Sequence, residues 1–260
     1  MINGCILCCK SKMTFISEMP FFTRIAILLA LSLYIYSFVP YYPMHKVASL
    51  AKALFIDHTF SQFITFPFQH LGLAHLTFAL IAYVPLACEL EKKVGTIRYV
   101  LKFFLINMII GIIHSCALYW YGRVFPKYYS FCINYPCAGF WPIIMVHMIE
   151  RYYESPDALT DFLYLPIKIK AKFYPICFLV FYGYFFKYIS EIVVGAIVGY
   201  ISNTHIDLAG IFNKCACTEL VQSKIEYYFC KLFNFLGNFS MLSKVNFHHM
   251  PQESIEARDY

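Results

Sequence analysis

The sequence predicts an all-α membrane protein: a bundle of six helical spans followed by a polar tail. Three observations carry this. Hydrophobic residues make up 60% of the chain and charged residues 14%, with a mean hydropathy of +0.60, and a soluble domain of this length could not hide so much apolar surface. The apolar residues fall into runs of helical length rather than scattering. Lys and Arg gather at the ends of those runs, where membrane topology accounts for them. The net charge of +6 therefore does not point to nucleic acid.

The first apolar run, about Phe22–Val39, holds Arg24 and follows Lys10 and Lys12. It has the makings of a signal peptide, but Ser37-Phe-Val-Pro40 is a poor small-residue cleavage site, so the run reads as a retained span. An amphipathic approach, Ala51–Phe68, leads into a second span at Leu71–Cys88. The third covers Phe103–Tyr121, the fourth Tyr135–Met148 and the fifth Tyr174–Phe186. The sixth, Ile189–Ile201, is shorter than the ~20 residues a lone span needs, and so requires packing inside the bundle or extension into its flanks.

These runs divide the chain into an N-terminal segment 1–21, a membrane domain 22–206 and a tail 207–260. With the N-terminus in the cytosol, Lys92, Lys93, Arg98, Lys102, Arg151, Lys168, Lys170, Lys172 and the tail's basic residues share its side. Only Lys46, Lys52, Arg123, Lys127 and Lys187 face away, so both termini are expected in the cytosol. In the tail, Ile225, Tyr228, Phe229, Leu232 and Leu236 recur at helical spacing within Glu219–Leu236, a face able to lie on the bilayer or the bundle. Cys5, Cys8, Cys9, Cys215 and Cys217 cluster outside the spans. Their spacings do not fit a zinc finger, and juxtamembrane cysteines are palmitoylation candidates.

The second span carries His70-Leu-Gly-Leu-Ala-His75 and, beyond Ala79, closes on Glu91-Lys-Lys-Val-Gly95-Thr96. The fourth opens on Cys137-Ala-Gly-Phe-Trp141, and the sixth runs Glu191-Ile-Val-Val-Gly195-Ala-Ile-Val-Gly199. Together these resemble the rhomboid family over about Arg24–Tyr200. Active members carry two histidines spaced like His70 and His75, an asparagine four residues later, and a glutamate, basic residues and Gly-Ser or Gly-Thr at the helix end. Trp141, just after the serine site, is similar to the eukaryotic endomembrane branch.

The resemblance implies a peptidase fold, with a nucleophilic serine on the fourth helix and a histidine base on the sixth. It implies no cofactor and no metal. The departures fall on the chemistry. The serine position falls on Ala138 or Gly139, neither of which can attack a carbonyl. The histidine position falls on Ile192, which accepts no proton. The oxyanion asparagine falls on Ala79, which donates no hydrogen bond. The retained motif residues are His70, His75, Glu91, Gly95, Trp141, Gly195 and Gly199.

Cys137 could replace the nucleophile only with a base beside it, and the histidine nearest the sixth span in sequence is His205. Ser130 and His114 are candidates for an unrecognised dyad. Gly195 and Gly199 make a small-residue face for close helix approach, with Ala138 or Gly139 expected opposite. His70 and His75, placed on one helix, would diverge, and hydrogen bonding within the bundle is the expected role for both. Glu191 reads as an interfacial, solvated glutamate, and Glu89 and Glu91 as surface charge at a helix end.

By resemblance to inactive rhomboids and derlins, the expected function is a pseudoprotease. It would bind transmembrane clients from the lipid bilayer and influence their trafficking, quality control or degradation, with the tail recruiting a cytosolic partner. The resemblance, and the lack of an Arg-rich, Ser-rich leader, favour the endoplasmic reticulum or Golgi over mitochondria. The rivals are a divergent intramembrane serine protease and a small transporter or channel. Against the transporter stand the lack of an inverted repeat and of charges lining the spans.

Overall fold

The computed structural model describes residues 19–38, 50–162, 167–186 and 189–204. The terminal cysteines, the segment 1–18 and the tail helix expected over 219–236 lie outside them. Helices stand at all six expected places: α1 (Phe21–Tyr36), α4 (Leu73–Val94), α5 (Thr96–Val124), α7 (Trp141–Glu154), α8 (Tyr174–Phe185) and α9 (Ser190–Thr204). Among the described residues, two helices are long and apolar enough to cross a bilayer alone, α4 and α5. The 29 residues of α5 extend ~43 Å at 1.5 Å each, beyond a ~30 Å hydrocarbon core.

Between α1 and α4 the expected amphipathic approach is broken. It forms α2 (Leu50–Phe55) and α3 (Gln62–Thr65), followed by a 3₁₀ turn, Phe66–Phe68. His58 takes a positive φ of 52° between them, which no continuous helix tolerates. Leu50, Phe63 and Phe66 from this segment bury together with Cys137. Ahead of α7 the chain adds only a short helix, α6 (Tyr129–Ile133), so the fourth helix starts at Trp141 rather than Tyr135. Pro142 in its first turn suits that start, because the missing N–H would have no intrahelical partner there.

Glu91 ties the start of the bundle to its middle. Its Oε1 accepts from the Phe22 backbone N–H at 2.8 Å, and its Oε2 accepts from the Thr23 N–H and hydroxyl, both at 2.8 Å. The Thr96 hydroxyl also donates to Oε1 at 2.8 Å. The first turn of α1 begins after Pro20 without a capping side chain of its own. Its orphan N–H groups and positive dipole end are therefore satisfied by a carboxylate from another helix. This corrects the surface-charge reading of Glu91, which is buried; the partners that bury it lie far off in sequence. Glu89 does stay at the surface, paired with Arg151 at 3.1 Å. Gly95 then turns the chain from α4 into α5 with φ 85° and ψ 151°, a conformation that in practice requires glycine.

The tightest packing joins α9 to α7. A Cβ on Gly195 would lie 2.5 Å from the Pro142 carbonyl oxygen, and one on Gly199 would lie 3.0 Å from Val146 Cα. Backbone meets backbone along this seam, as expected of a small-residue face. The opposing surface, however, is Pro142, Val146 and Ile149, not Ala138 or Gly139. Those two precede the helix, so the seam begins below them.

After α7 a short antiparallel hairpin forms, β1 (Leu159–Asp161) on β2 (Lys168–Lys170), with Asp161 opposite Lys168. Apolar side chains remain outside the bundle on several helices. Leu28 and Ile35 on α1 and Ile176 and Val180 on α8 are all more than half exposed, as expected of surfaces that face lipid.

Candidate functional site

The segment Tyr135–Phe140 leads into α7 and brings Gly139 against both motif histidines. Gly139 donates its N–H to the Phe66 carbonyl at 2.9 Å and adopts φ 88°. A Cβ built there would lie 3.0 Å from His75 Cε1 and 3.1 Å from His70 Cδ2 and Nε2. Position 139 therefore aims into the histidine corner, and only hydrogen fits without displacing a ring. Ala138 beside it is buried, as are Ala79 on α4 and Ile192 on α9. Ala138, Ala79 and Ile192, which the resemblance sets against the serine, asparagine and histidine of active members, are thus all inside the core.

The two histidines do not diverge as expected. His70 lies ahead of α4, held by its Nδ1–H donating to the Phe68 carbonyl at 3.2 Å. Gly72 is extended, with φ −176°, so the helical rotation never separates the rings. Their centroids are 5.4 Å apart. His75 Nε2 pairs with the Tyr182 hydroxyl at 3.3 Å. His70 Nε2, His75 Nδ1 and Trp141 Nε1 are buried without a hydrogen-bond partner among the described residues. Aromatic rings enclose them: Phe140 against His70 at 5.3 Å, and Trp141 and Phe186 against His75 at 5.7 and 5.6 Å. The expected hydrogen-bonding role is thus met on one nitrogen of each ring. No third metal-ligating side chain joins them among the described residues.

The candidate substitutes separate in space. Cys137 packs among Leu50, Phe63 and Phe66 and is fully buried. Ser130 lies exposed on α6, where its backbone carbonyl accepts from Asn134. The expected pairing of Ser130 with His114 does not form. His114 Nε2 instead meets the Ser190 hydroxyl at 2.9 Å, because α5 and α9 pack side by side there. Glu191, next to Ser190, is 2% exposed and its Oε2 has no partner among the described residues. The solvated reading of Glu191 is thereby corrected. The Ser190–His114 bond joins the first turn of α9 to α5 where Glu191 is buried, and the dipole end of α9 favours a carboxylate there.

Sequence reasoning missed a second polar cluster. The Tyr99 hydroxyl lies 3.0 Å from His147 Nε2 and 3.3 Å from the Tyr83 hydroxyl. His147 Nδ1 is 4.0 Å from Glu150, which pairs with Lys102. The only local signal was the pair His147 and Glu150 three apart on one helix face.

The family model described as the Rhomboid domain matches residues 57–206, from the turn before α3 to just past α9. The chain belongs to the rhomboid family. No curated protein and no solved structure matches it. This rhomboid is a membrane protein, and its histidine corner lies within the matched region, as do Glu91 and the α7–α9 seam.

Proposed function

We propose that this rhomboid is a pseudoprotease, a six-span bundle with both termini in the cytosol. It binds transmembrane clients that arrive laterally from the bilayer and influences their trafficking, quality control or degradation in the endoplasmic reticulum or Golgi. The observation that carries the reading is the histidine corner. Gly139 adopts φ 88°, and a Cβ there would lie 3.0–3.1 Å from both rings, so a side chain at this position must displace a ring, while buried apolar residues stand at positions 79, 138 and 192. Covalent proteolysis needs a nucleophile, a base and an oxyanion donor acting together. A bundle without them still offers lipid-exposed apolar faces and buried hydrogen-bonding groups to a polar or unstable client helix. Residues 207–260 supply the cytosolic surface for a partner.

The test is co-reconstitution with a single-span rhomboid substrate and a photo-crosslinking residue at the exposed Val180 of α8. The expected product is an adduct with the intact client. Cleaved fragments would overturn the reading.

A second reading has one observation in its favour. His114 and Ser190 stand at 2.9 Å, within the reach a base needs to activate a hydroxyl. A divergent serine hydrolase using this pair would hydrolyse an activated ester in proteoliposomes and lose that activity in both S190A and H114A.

A further inference from the structure

On the basic side of the bundle a cavity of about 220 Å³ opens between α4, α7, the β-hairpin and the start of α8. It lies away from the histidine corner. Its wall and its mouth differ in chemistry. Ile81, Pro85 and Leu86 of α4 and Met148 of α7 form an apolar wall. Arg151 and Asp161, both exposed, lie at the mouth, and the buried Tyr152 and Tyr174 line the cavity beside them. The Arg151 side chain is 43% exposed even while paired with Glu89. Asp161 is exposed and makes no ion pair among the described residues, unlike Asp157, which holds Lys170 and Lys172. The Tyr152 and Tyr174 rings lie together, centroids 4.8 Å apart.

Beyond the cavity the same face of α4 continues as an apolar stripe. Phe78, Ile81, Pro85 and Glu89 follow the i, i+3, i+7, i+11 stripe of a single helix face. Phe78 and Ile81 are 44% and 46% exposed, whereas Glu89 sits beside Arg151. The stripe thus passes from apolar to charged in the direction an amphiphile does.

From this arrangement we infer that the cavity binds the headgroup of a zwitterionic phospholipid. Arg151 takes the phosphate and Asp161 the ammonium, while the acyl chains lie along Phe78 and Ile81. A guanidinium suits phosphate, and a carboxylate beside aromatic faces suits an ammonium. A purely anionic lipid would satisfy Arg151 but face repulsion from Asp161. The inference requires only that the protein sits in a membrane, and it stands or falls separately from the pseudoprotease reading.

Native mass spectrometry of the full chain in detergent tests it, with dioleoyl phosphatidylethanolamine and dioleoyl phosphatidylglycerol offered in equal amounts. These share acyl chains and phosphate, and only the first carries an ammonium. The expected result is a single-lipid adduct several-fold enriched in the ethanolamine lipid. D161N should bring the two lipids to parity, R151Q should remove both adducts, and D157N should leave the preference intact. Equal retention of both lipids by the parent protein would overturn the inference. So would an unchanged preference in D161N, unchanged adducts in R151Q, or a loss of preference in D157N as large as that in D161N. Asp161, Arg151 and Asp157 are all at the surface, so matched thermal melts keep the comparison on binding rather than folding.

Discussion

Two residues, Gly139 and Glu91, hold the corner and the helix start that shape this rhomboid's interior. Gly139→Ala must accept φ 88° and a Cβ 3.0 Å from His75. The positive φ alone costs on the order of 1–3 kcal/mol in a residue with a side chain, so a lowered melting temperature in detergent is expected. A melt equal to that of the parent would mean the corner has slack. Glu91→Ala leaves two backbone N–H groups and two hydroxyls without their acceptor. Hydrogen bonds to a charged group are worth about 1.5–3 kcal/mol each, so unfolding should be eased by at least about 3 kcal/mol, with Glu91→Gln falling between. If the alanine variant melts with the parent, Glu91 is not the cap of α1. Neither residue's role was open to sequence reasoning alone. The spacing of Glu91 and Gly95 was readable because it is local, but the partners of Glu91 at Phe22 and Thr23 lie 69 and 68 residues away. The convergence of His70 and His75 was hidden because it depends on the chain leaving the helix before Leu73.

Among the elements, the α7–α9 seam was the most legible and the hairpin the least. Two glycines four apart in an apolar run can be read directly as a close-approach face. Which face they meet could not be read, because that required knowing that the fourth helix begins at Trp141. Gly195→Leu would drive a side chain into the Pro142 backbone, where even a Cβ would sit at 2.5 Å. Overpacking of this kind costs typically about 1–3 kcal/mol, and more is expected here because backbone cannot rotate away. Gly199→Leu should follow with a similar or smaller loss, and unchanged melts for both would remove the seam from the account. The hairpin is three residues a side: Ile167-Lys-Ile-Lys170 does alternate, but its partner Leu159-Thr-Asp161 shows no such pattern, and the alternating run reads in the sequence only as the basic flank of a span. Its base is held by Asp157, which accepts from Lys172 at 2.9 Å, and that hydrogen bond, with the lysine charge behind it, holds the carboxyl below its usual range. A carboxyl so lowered stabilises the fold above its unfolded value and loses that contribution as pH falls through the folded one. Amide-exchange protection over 159–161 and 168–170 should therefore stay level down to about pH 4 and weaken only below it. In Asp157→Asn the acid-dependent step should be missing, and a step that persists would assign it to another group.

The whole molecule combines an architecture that its hydropathy pattern discloses with a chemistry that only its motif positions disclose. Apolar runs and basic flanks placed helices where they stand, because burial in a bilayer imposes the same demand on every span. The same positive-inside distribution expects tags at both termini to be digested by protease added outside sealed microsomes, and protection of both tags would reverse the topology. The pairing of His114 with Ser190 and the cluster of Tyr83, Tyr99 and His147 emerged only from the packing, since no local spacing joins their helices. On the proposed function, the bundle keeps a rhomboid's framework without its covalent chemistry. Intact-mass analysis of the purified full chain after exposure to a fluorophosphonate tests this most directly, under conditions that phosphonylate an active rhomboid. The mass should remain that of the unmodified chain. A stoichiometric phosphonyl adduct, mapped to a serine and lost when that serine or its histidine partner is replaced, would contradict the account.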